Sequence, residues 1–251
     1  MKKQAAYGNE SISSLKGPDR VRKRPAVIFG SDGIEGCEHS IFEILSNSID
    51  EAREGYGSRI IVTRYEDQSV EVEDFGRGIP VDYNTKEQRF NWELLFCELY
   101  AGGKYNNDAD ESYEYSLGLN GLGLCSTQYA SEYMDVDIRR DGVQYLLHFE
   151  KGENVGGLKK ESYTKKDTGT RIRWKPDLEV FTDIHVPVEY FLDIIKRQAI
   201  VNDGVTFVFR NQVGNQFETT EFCYQNGIVD HVKEIAGEDA LTSVQFWQTE
   251  R

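Results

Sequence analysis

Segments typical of strands and of helices follow one another in this chain without a regular repeat, and this irregular order most constrains its fold. Alternating apolar and polar residues predict strands at 59–65, 69–74, 133–139, 144–150, 169–175 and 205–210. Helical spacing predicts helices at 17–23, 38–53, 91–100 and 188–201, and one more that begins near residue 124. A doubly wound fold needs regular alternation of strand and helix, so the sequence favours an α+β layer.

The net charge of the chain limits its partners. The 251 residues suffice for one large domain, or for one domain with extensions, and their net charge is −14. An acidic surface repels phosphate backbones, so the charge argues against tight DNA binding by this chain alone. The basic strip at 20–24 is a local exception, which fits either a nucleic-acid contact or a solvated helix end.

The apolar runs and the cysteines exclude further classes of protein. No apolar run approaches the roughly 20 residues that span a bilayer, and the N-terminus lacks the apolar stretch of a secretory signal. The four cysteines lie far apart without a CxxC pair, which argues against a zinc site and a disulfide framework. Unpaired cysteines suit a reducing compartment, so we expect a cytoplasmic protein.

The predicted helix at 38–53 carries a line of polar residues beside its apolar stripe. Glu43, Asn47 and either Asp50 or Glu51 are three or four residues apart, so they share one side of the helix. A solvated helix face has the same pattern. Asn47 is unusual because asparagine is a mediocre helix former, but its neutral oxygen suits Mg²⁺. Glu43, one turn earlier, could then deprotonate a water that attacks a phosphate.

A second motif ends one of the predicted strands. Asp74 is followed by Gly76, Gly78 and Pro80 at every second position. The carboxylate could accept a hydrogen bond from an exocyclic amine such as that of adenine, and the glycines would let a flat base approach the backbone. An aspartate-initiated turn has the same pattern. The dinucleotide-binding glycine fingerprint does not fit, because its third glycine would fall on Val81.

Two glycine-rich segments and a late turn are further candidates for ligand contacts. The segment 102–104 is not a Walker P-loop, because Tyr105 stands where serine or threonine is needed, but Lys104 on its glycine hinge could still reach a phosphate. The segment 118–123 precedes a helix, so it could offer backbone N–H groups to phosphates or act as a plain linker. The segment 167–170 alone indicates only a turn before a strand.

The order of these motifs resembles the GHKL family of ATPases, which have the Bergerat ATP-binding fold. Within that family the chain is most similar to the ATPase region of the B-type subunits of bacterial type IIA DNA topoisomerases, gyrase and topoisomerase IV. The similarity covers essentially the whole chain and is carried by the segments 21–25, 42–52, 76–80, 101–104 and 168–170. It implies a two-layer sandwich of a mixed, mainly antiparallel sheet with helices on one face.

The resemblance also implies roles for individual residues. Glu43 would be the general base and Asn47 the ligand of Mg²⁺. Asp74 would bind the adenine amine, with Thr170 in support through a water. The remaining residues implied to contact ATP are Glu51, Arg77, Gly78, Ile79, Pro80, Gly102, Gly103, Lys104, Leu119, Asn120, Gly121, Leu122 and Gly123.

Two of these residues have a more specific implied arrangement. Glu51 and Arg77 would form an ion pair over the base, where aminocoumarins inhibit such proteins. Four positions depart from the family pattern, and two of them leave the conformation of the glycine-rich lid and the inhibitor profile open. The departures are Ala26, Phe75, Leu117 and Asn120, of which the last two lie in the lid.

Partners and domain limits follow from the same resemblance. Tyr7 and Ile12 would lie on an arm that crosses to a second copy of the chain, and the ATP-driven dimer would capture DNA together with a cleavage subunit of the gyrase A or topoisomerase IV A type. We expect an arm at 1–16, the ATPase domain at 17–225 and the start of a transducer domain at 226–251. Such a fragment would lack the transducer lysine and turn over ATP weakly. The alternative is a GHKL nucleotide-binding switch or chaperone-like module with little turnover.

Overall fold

The computed structural model describes residues 14–101, 121–237 and 241–247. In chain order its helices are α1 (Asp19–Arg22), α2 (Pro25–Phe29), α3 (Ile34–Arg53), α4 (Asn91–Cys97), α5 (Gly123–Tyr129), α6 (Val188–Val201) and α7 (Ile228–Ala236). Its strands are β1 (Arg59–Arg64), β2 (Val70–Asp74), β3 (Tyr83–Asn84), β4 (Arg89–Phe90), β5 (Ser131–Arg140), β6 (Val143–Glu150), β7 (Glu153–Asn154), β8 (Lys159–Ser162), β9 (Gly169–Pro176), β10 (Thr206–Val213) and β11 (Gln216–Phe222).

Nine of the described strands form one sheet, in the order β11-β10-β1-β2-β9-β5-β6-β7, with β8 also paired to β6. Strands β1 and β10 pair in parallel, with Arg59 beside Thr206, and every other described pair in this sheet is antiparallel. The sheet is therefore mixed and mainly antiparallel, as the sequence predicts. The short strands β3 and β4 form a separate hairpin.

A single hydrophobic core fills the space between the sheet and its helices. Helix α3 packs on β1, β2 and β9, while α5 contacts β5 and α6 contacts β10. The apolar stripe of α3, with Ile41, Leu45 and Ile49, is fully buried there. From α6, Phe191 stacks on Phe209 of β10 with ring centroids 5.2 Å apart. These contacts give the α+β sandwich and fix α3 against the middle strands of the sheet.

Several element limits differ from the sequence predictions. The helix predicted at 17–23 is shorter, from Asp19 to Arg22, and a second short helix follows it at Pro25. This proline begins α2, because it lacks only an N–H that a first helical turn does not use. Helix α4 ends at Cys97 rather than at residue 100, since Glu98 is already extended and Tyr100 has a positive φ of 66°. Helix α3 begins four residues before the predicted start at 38.

The basic strip at 20–24 has a structural role at its centre. Arg22 is largely buried, and its guanidinium lies 2.6 Å from Asp177 and 3.1 Å from Glu179. The same side chain donates to the carbonyl oxygen of Tyr129, while Lys23 pairs with Asp19. Arg22 therefore ties α1 to the core. In the part of the chain that the structure describes, no helix is both long and apolar enough to cross a bilayer.

Candidate active site

Helix α3 and the ends of β2 and β9 enclose a cavity of about 380 Å³, a volume typical of small-molecule sites. Its apolar wall consists of Ile44, Val72, Leu95, Leu124 and Ile172. Polar and charged groups from one side of α3, and from the loop that follows β2, complete it. A mostly apolar space with a few fixed polar groups suits a flat aromatic group that also carries hydrogen-bonding atoms.

Asp74 is a hydrogen-bond acceptor within this cavity. It is 8% exposed, and its Oδ2 accepts a hydrogen bond from the Ser48 hydroxyl at 2.9 Å. Its Oδ1 accepts from the backbone amides of Gly76 at 3.0 Å and Thr170 at 3.2 Å. Burial raises the pKa of the Asp74 carboxyl, and these three hydrogen bonds oppose that shift only in part. Among the described residues Ser48 is the one hydrogen-bond donor to Oδ2, which therefore retains a lone pair for a donor group of a ligand.

The absence of side chains at two glycines makes this arrangement possible. A Cβ on Gly169 would lie 2.1 Å from the carbonyl oxygen of Asp74, and the φ of Gly169 is +145°. A Cβ on Gly76 would lie 2.2 Å from Cγ of Glu51. Both positions therefore need glycine for close packing, and the first also needs it for its backbone conformation.

The loop after β2 is fixed from two sides. The hydroxyl of Thr170 accepts a hydrogen bond from the amide of Ile79 at 3.2 Å. From the end of β5, Arg140 donates to the carbonyl oxygen of Gly78 at 2.7 Å. Thr170 thus supports Asp74 directly through its own amide, while its hydroxyl holds the loop. The water-mediated support that the family resemblance implies for Thr170 stays a prediction beside these direct contacts.

Glu51 and Arg77 form a wall of the cavity. Nε and Nη2 of Arg77 donate to the two oxygens of Glu51 at 2.8 and 2.9 Å, and the Arg77 amide donates to Glu51 Oε1 at 2.8 Å. Burial alone would raise the pKa of Glu51, but the hydrogen bonds and charge of Arg77 outweigh burial and lower it. Glu51 is therefore a carboxylate at neutral pH, and the ion pair expected from the resemblance is present.

Glu43 lies one turn before Asn47 and does not line the cavity itself. Its Oε1 is 3.0 Å from Nε2 of His39, whose Nδ1 is 3.2 Å from the carbonyl oxygen of Phe29. The imidazole of His39 thus links Glu43 to the backbone at the end of α2. A Cβ on Gly123 would lie 2.3 Å from the other oxygen of Glu43, so the start of α5 packs directly against this carboxylate.

Asn47 has the donor chemistry that a magnesium ion needs. Its amide nitrogen donates to the carbonyl oxygen of Glu43 at 3.0 Å, which directs the neutral amide oxygen away from the helix backbone. No group of three or more His, Cys, Asp or Glu side chains within the described ranges could hold a metal on its own. A single oxygen ligand still fits Mg²⁺, which keeps several waters and takes further ligands from phosphates.

The structure brings together most of the residues that the sequence singled out. The cavity is lined by Asn47, Glu51, Asp74, Arg77, Gly78, Ile79, Pro80 and Thr170. Gly121, Leu122 and Gly123 lead into α5 beside it, but none of the three lines the cavity. The predicted phosphate contacts Gly102, Gly103, Lys104, Leu119 and Asn120, and the predicted arm residues Tyr7 and Ile12, lie outside the described residues.

Three contributors to the site were missed from the sequence. His39 stands one turn before Glu43, and this i, i+4 spacing was the available signal. Ser48 is adjacent to Asn47, and its polarity within a buried helix face also could have identified it. Arg140 gave no local signal, because only the fold brings the end of β5 to the loop after β2.

Comparison with known proteins identifies the class to which this site belongs. Residues 34–180 match the model of the histidine kinase-, DNA gyrase B- and HSP90-like ATPases. This match spans more than half of the chain, so the chain belongs to that ATPase family, and the resemblance drawn from the motifs is confirmed.

More specific relatives come from bacterial topoisomerases. The DNA gyrase B protein of Thermotoga maritima is 38% identical over 239 residues, and the B-type protein of DNA topoisomerase 4 from Enterococcus faecalis is 35% identical over 243 residues. The alignments cover 95% and 96% of this chain but only 37% and 35% of those proteins. The chain therefore spans little more than a third of the length of these relatives.

Solved structures agree with this similarity. The 43K ATPase domain of Thermus thermophilus gyrase B in complex with an aminocoumarin has a TM-score of 0.75 at 30% identity, over 89% of this chain and 56% of that one. The topoisomerase IV ATP-binding domain of Francisella tularensis, in complex with a small-molecule inhibitor, has a TM-score of 0.72 at 31% identity, over 88% and 58%. The fold is thus that of these ATPase domains.

Proposed function

We propose that this chain binds ATP with Mg²⁺ and hydrolyses it, as the ATPase module of a type IIA DNA topoisomerase. The observation that carries the proposal is the buried acceptor Asp74 in a mostly apolar cavity of small-molecule size, within a member of this ATPase family. The free lone pair of Asp74 Oδ2 would receive the exocyclic amine of adenine, and the apolar wall would cover the faces of the base.

At the phosphate end of the bound nucleotide, residues of α3 would have separate roles. Glu43 would accept a proton from the attacking water, with His39 holding its carboxylate in position. The amide oxygen of Asn47 would bind Mg²⁺. When bound, the ion supplies charge neutralisation across the phosphates. Gly102, Gly103, Lys104 and the residues 119–123 would enclose the phosphates, as in the family that the motifs resemble.

The activity of the whole protein is a further part of the proposal. Its relatives include the B-type proteins of DNA gyrase and topoisomerase 4, which supports a partnership with a second copy of the chain, a cleavage subunit and DNA. Tyr7 and Ile12 would make the contact between the two copies on ATP binding. We also assign the protein to the cytoplasm, because all four cysteines are free thiols, which suits a reducing compartment.

Two substitutions test the proposed roles separately. Asp74→Asn should reduce affinity for ADP by about 30-fold, because an amide cannot provide the same acceptor set at the base. Glu43→Ala should leave ADP affinity within about twofold and, in the full-length protein, reduce the rate of phosphate release from ATP by about 100-fold. Calorimetry and a phosphate-release assay measure the two effects. Unchanged ADP affinity in Asp74→Asn, or unchanged turnover in Glu43→Ala, would refute the corresponding role.

A further inference from the structure

The guanidinium of Arg77 is held by more than its partner Glu51. Nη2 of Arg77 also donates to Oε2 of Glu54 at 2.5 Å. The ring of Tyr56 lies against the guanidinium, with Cζ of Arg77 3.7 Å from the ring centroid. Two carboxylates therefore hold the edges of this flat cation, and an aromatic ring covers one of its faces.

The end of α3 places these two extra contacts. Glu54 is the residue directly after the helix, and Gly55, with a φ of +88°, turns the chain back on itself. The amide of Tyr56 then donates to the carbonyl oxygen of Glu51 at 3.1 Å. This turn sets the Tyr56 ring beside the same helical turn that carries Glu51. The positions of both side chains thus follow from the helix end.

The open side of Arg77 faces the cavity. Arg77, Glu51 and Glu54 line the cavity, whereas Tyr56 does not and is 44% exposed to solvent. The ring therefore covers Arg77 from outside and leaves the guanidinium as part of the wall. Two carboxylates already pair with the Arg77 guanidinium, so it has few donors left for a phosphate, and its flat surface suits a neutral aromatic group.

We propose that Glu54 and Tyr56 are positioning residues, which fix Arg77 as a preformed wall for the aromatic base of the nucleotide. This inference rests on the proposed function of the cavity. A free arginine side chain loses rotamer entropy when it is ordered. Glu54 and Tyr56 order Arg77 before the ligand binds. The entropy of ordering this side chain is therefore not lost in the binding step, and the affinity of the ligand is higher.

The test compares variants at both positions by calorimetry with ADP. Tyr56→Leu and Glu54→Ala should each weaken ADP binding by about fivefold, the effect expected from loss of a cation–π or charged contact that orders one side chain. Tyr56→Phe keeps the ring and should bind ADP within about twofold of the unsubstituted protein. Tyr83→Leu is the matched control, since Tyr83 is a similarly exposed tyrosine in an aromatic contact with Phe90.

A second readout separates positioning from general stability. The Nε–H signal of Arg77 in nitrogen-edited NMR should exchange faster with solvent in Tyr56→Leu and Glu54→Ala, while the backbone spectrum and thermal midpoint stay unchanged. If the unsubstituted protein binds ADP and both variants match it in affinity and in Arg77 exchange, the positioning role is overturned. If the unsubstituted protein binds no ADP, the proposed function itself fails.

Discussion

Two carboxylates of the cavity respond to the fold in opposite ways. Asp74 has a raised pKa because burial disfavours its charge more than its hydrogen-bond donors favour it. Glu51 has a lowered pKa because Arg77 outweighs its burial. In the folded protein at neutral pH, a charged Asp74 therefore opposes folding, whereas a charged Glu51 supports it.

The opposite pKa shifts predict opposite pH dependences for two variants. The cost of the Asp74 charge is absent below its ordinary pKa near 3.8 and appears as the pH rises through the raised pKa, so Asp74→Asn should gain stability relative to the unsubstituted protein with rising pH. The benefit of the Glu51 charge is present above 4.5 and is lost as the pH falls, so Glu51→Gln should lose relative stability with rising pH.

Urea unfolding at several pH values between about 4 and 7 measures both trends. Each variant is compared with the unsubstituted protein at the same pH, so that the titration of all other groups cancels. If the stability difference from the unsubstituted protein changed with pH in the same direction for both variants, the assigned environments of Asp74 and Glu51 would be contradicted.

The sequence could identify single residues only where a local pattern or the family resemblance marked them. Asp74 and Asn47 were found because a glycine-spaced turn and an unusual helix residue drew attention to them. The hold of Glu54 and Tyr56 on Arg77 depends on how the end of α3 meets the loop after β2. Such a contact between distant segments leaves no trace in local spacing.

Among the secondary-structure elements, the meeting of β2 and β9 is the tightest point near the site. The start of β9 passes so close to the end of β2 that a side chain on Gly169 would meet the Asp74 backbone. This contact sets the amide of Thr170 against the Asp74 carboxylate. The two strand ends thus form one unit, in which stability and the acceptor geometry depend on the same glycine.

Gly169→Ala should therefore damage both properties. We expect a loss of about 3 kcal/mol in the free energy of unfolding, from a steric clash and an unfavourable φ, and a loss of ADP binding because Asp74 is displaced. Gly214→Ala is the control, since Gly214 also has a positive φ of 59° but open space around it. It should cost only about 1 kcal/mol. Denaturant unfolding and calorimetry provide both values, and equal effects of the two substitutions would contradict the close-packing argument.

The elements themselves were predictable where burial gives a strong periodic pattern. Helix α6 was predicted with the observed limits, and the hairpin of β1 and β2 was found as well. Strand β11 and helix α7 were missed. Almost every residue of β11 is exposed, so no buried apolar face marks it in the sequence. Helix α7 does carry apolar residues at helical spacing, Ile228, Val232 and Ile235, so its pattern was available although none of its residues is buried. Backbone pairing to β10 holds β11, and such pairing does not depend on side-chain pattern.

For the whole molecule, the net charge predicts whether this chain binds DNA by itself. Its net charge is −14, and the central arginine of the basic strip is largely buried, where it pairs with the buried Asp177 and the exposed Glu179. The strip therefore offers less positive charge than its sequence indicates. The sequence left its role open because burial of Arg22 depends on a partner much later in the chain.

The chain alone should not bind a DNA duplex. At about 100 mM salt we expect no change in fluorescence anisotropy of a labelled duplex of about 20 base pairs with up to about 10 μM protein. Micromolar binding that weakens with added salt would show that a cationic surface outweighs the net charge. Lys23→Ala with Arg24→Ala would then test whether the strip is that surface.

The parallel pairing of β1 with β10 has a consequence for how the molecule forms. Strand β1 comes early in the chain and β10 late, yet they are neighbours in the sheet, where β10 is second and β1 third from the β11 edge. Contacts between such distant segments slow folding, because the entropy cost of closing a long loop precedes the favourable energy of the strand pairing. During synthesis, one edge of β1 would stay unpaired until β10 leaves the ribosome. An unpaired strand edge can form backbone hydrogen bonds with other chains, which leads to aggregation. A fragment limited to the family match at 34–180 lacks β10, so we expect it to aggregate rather than fold.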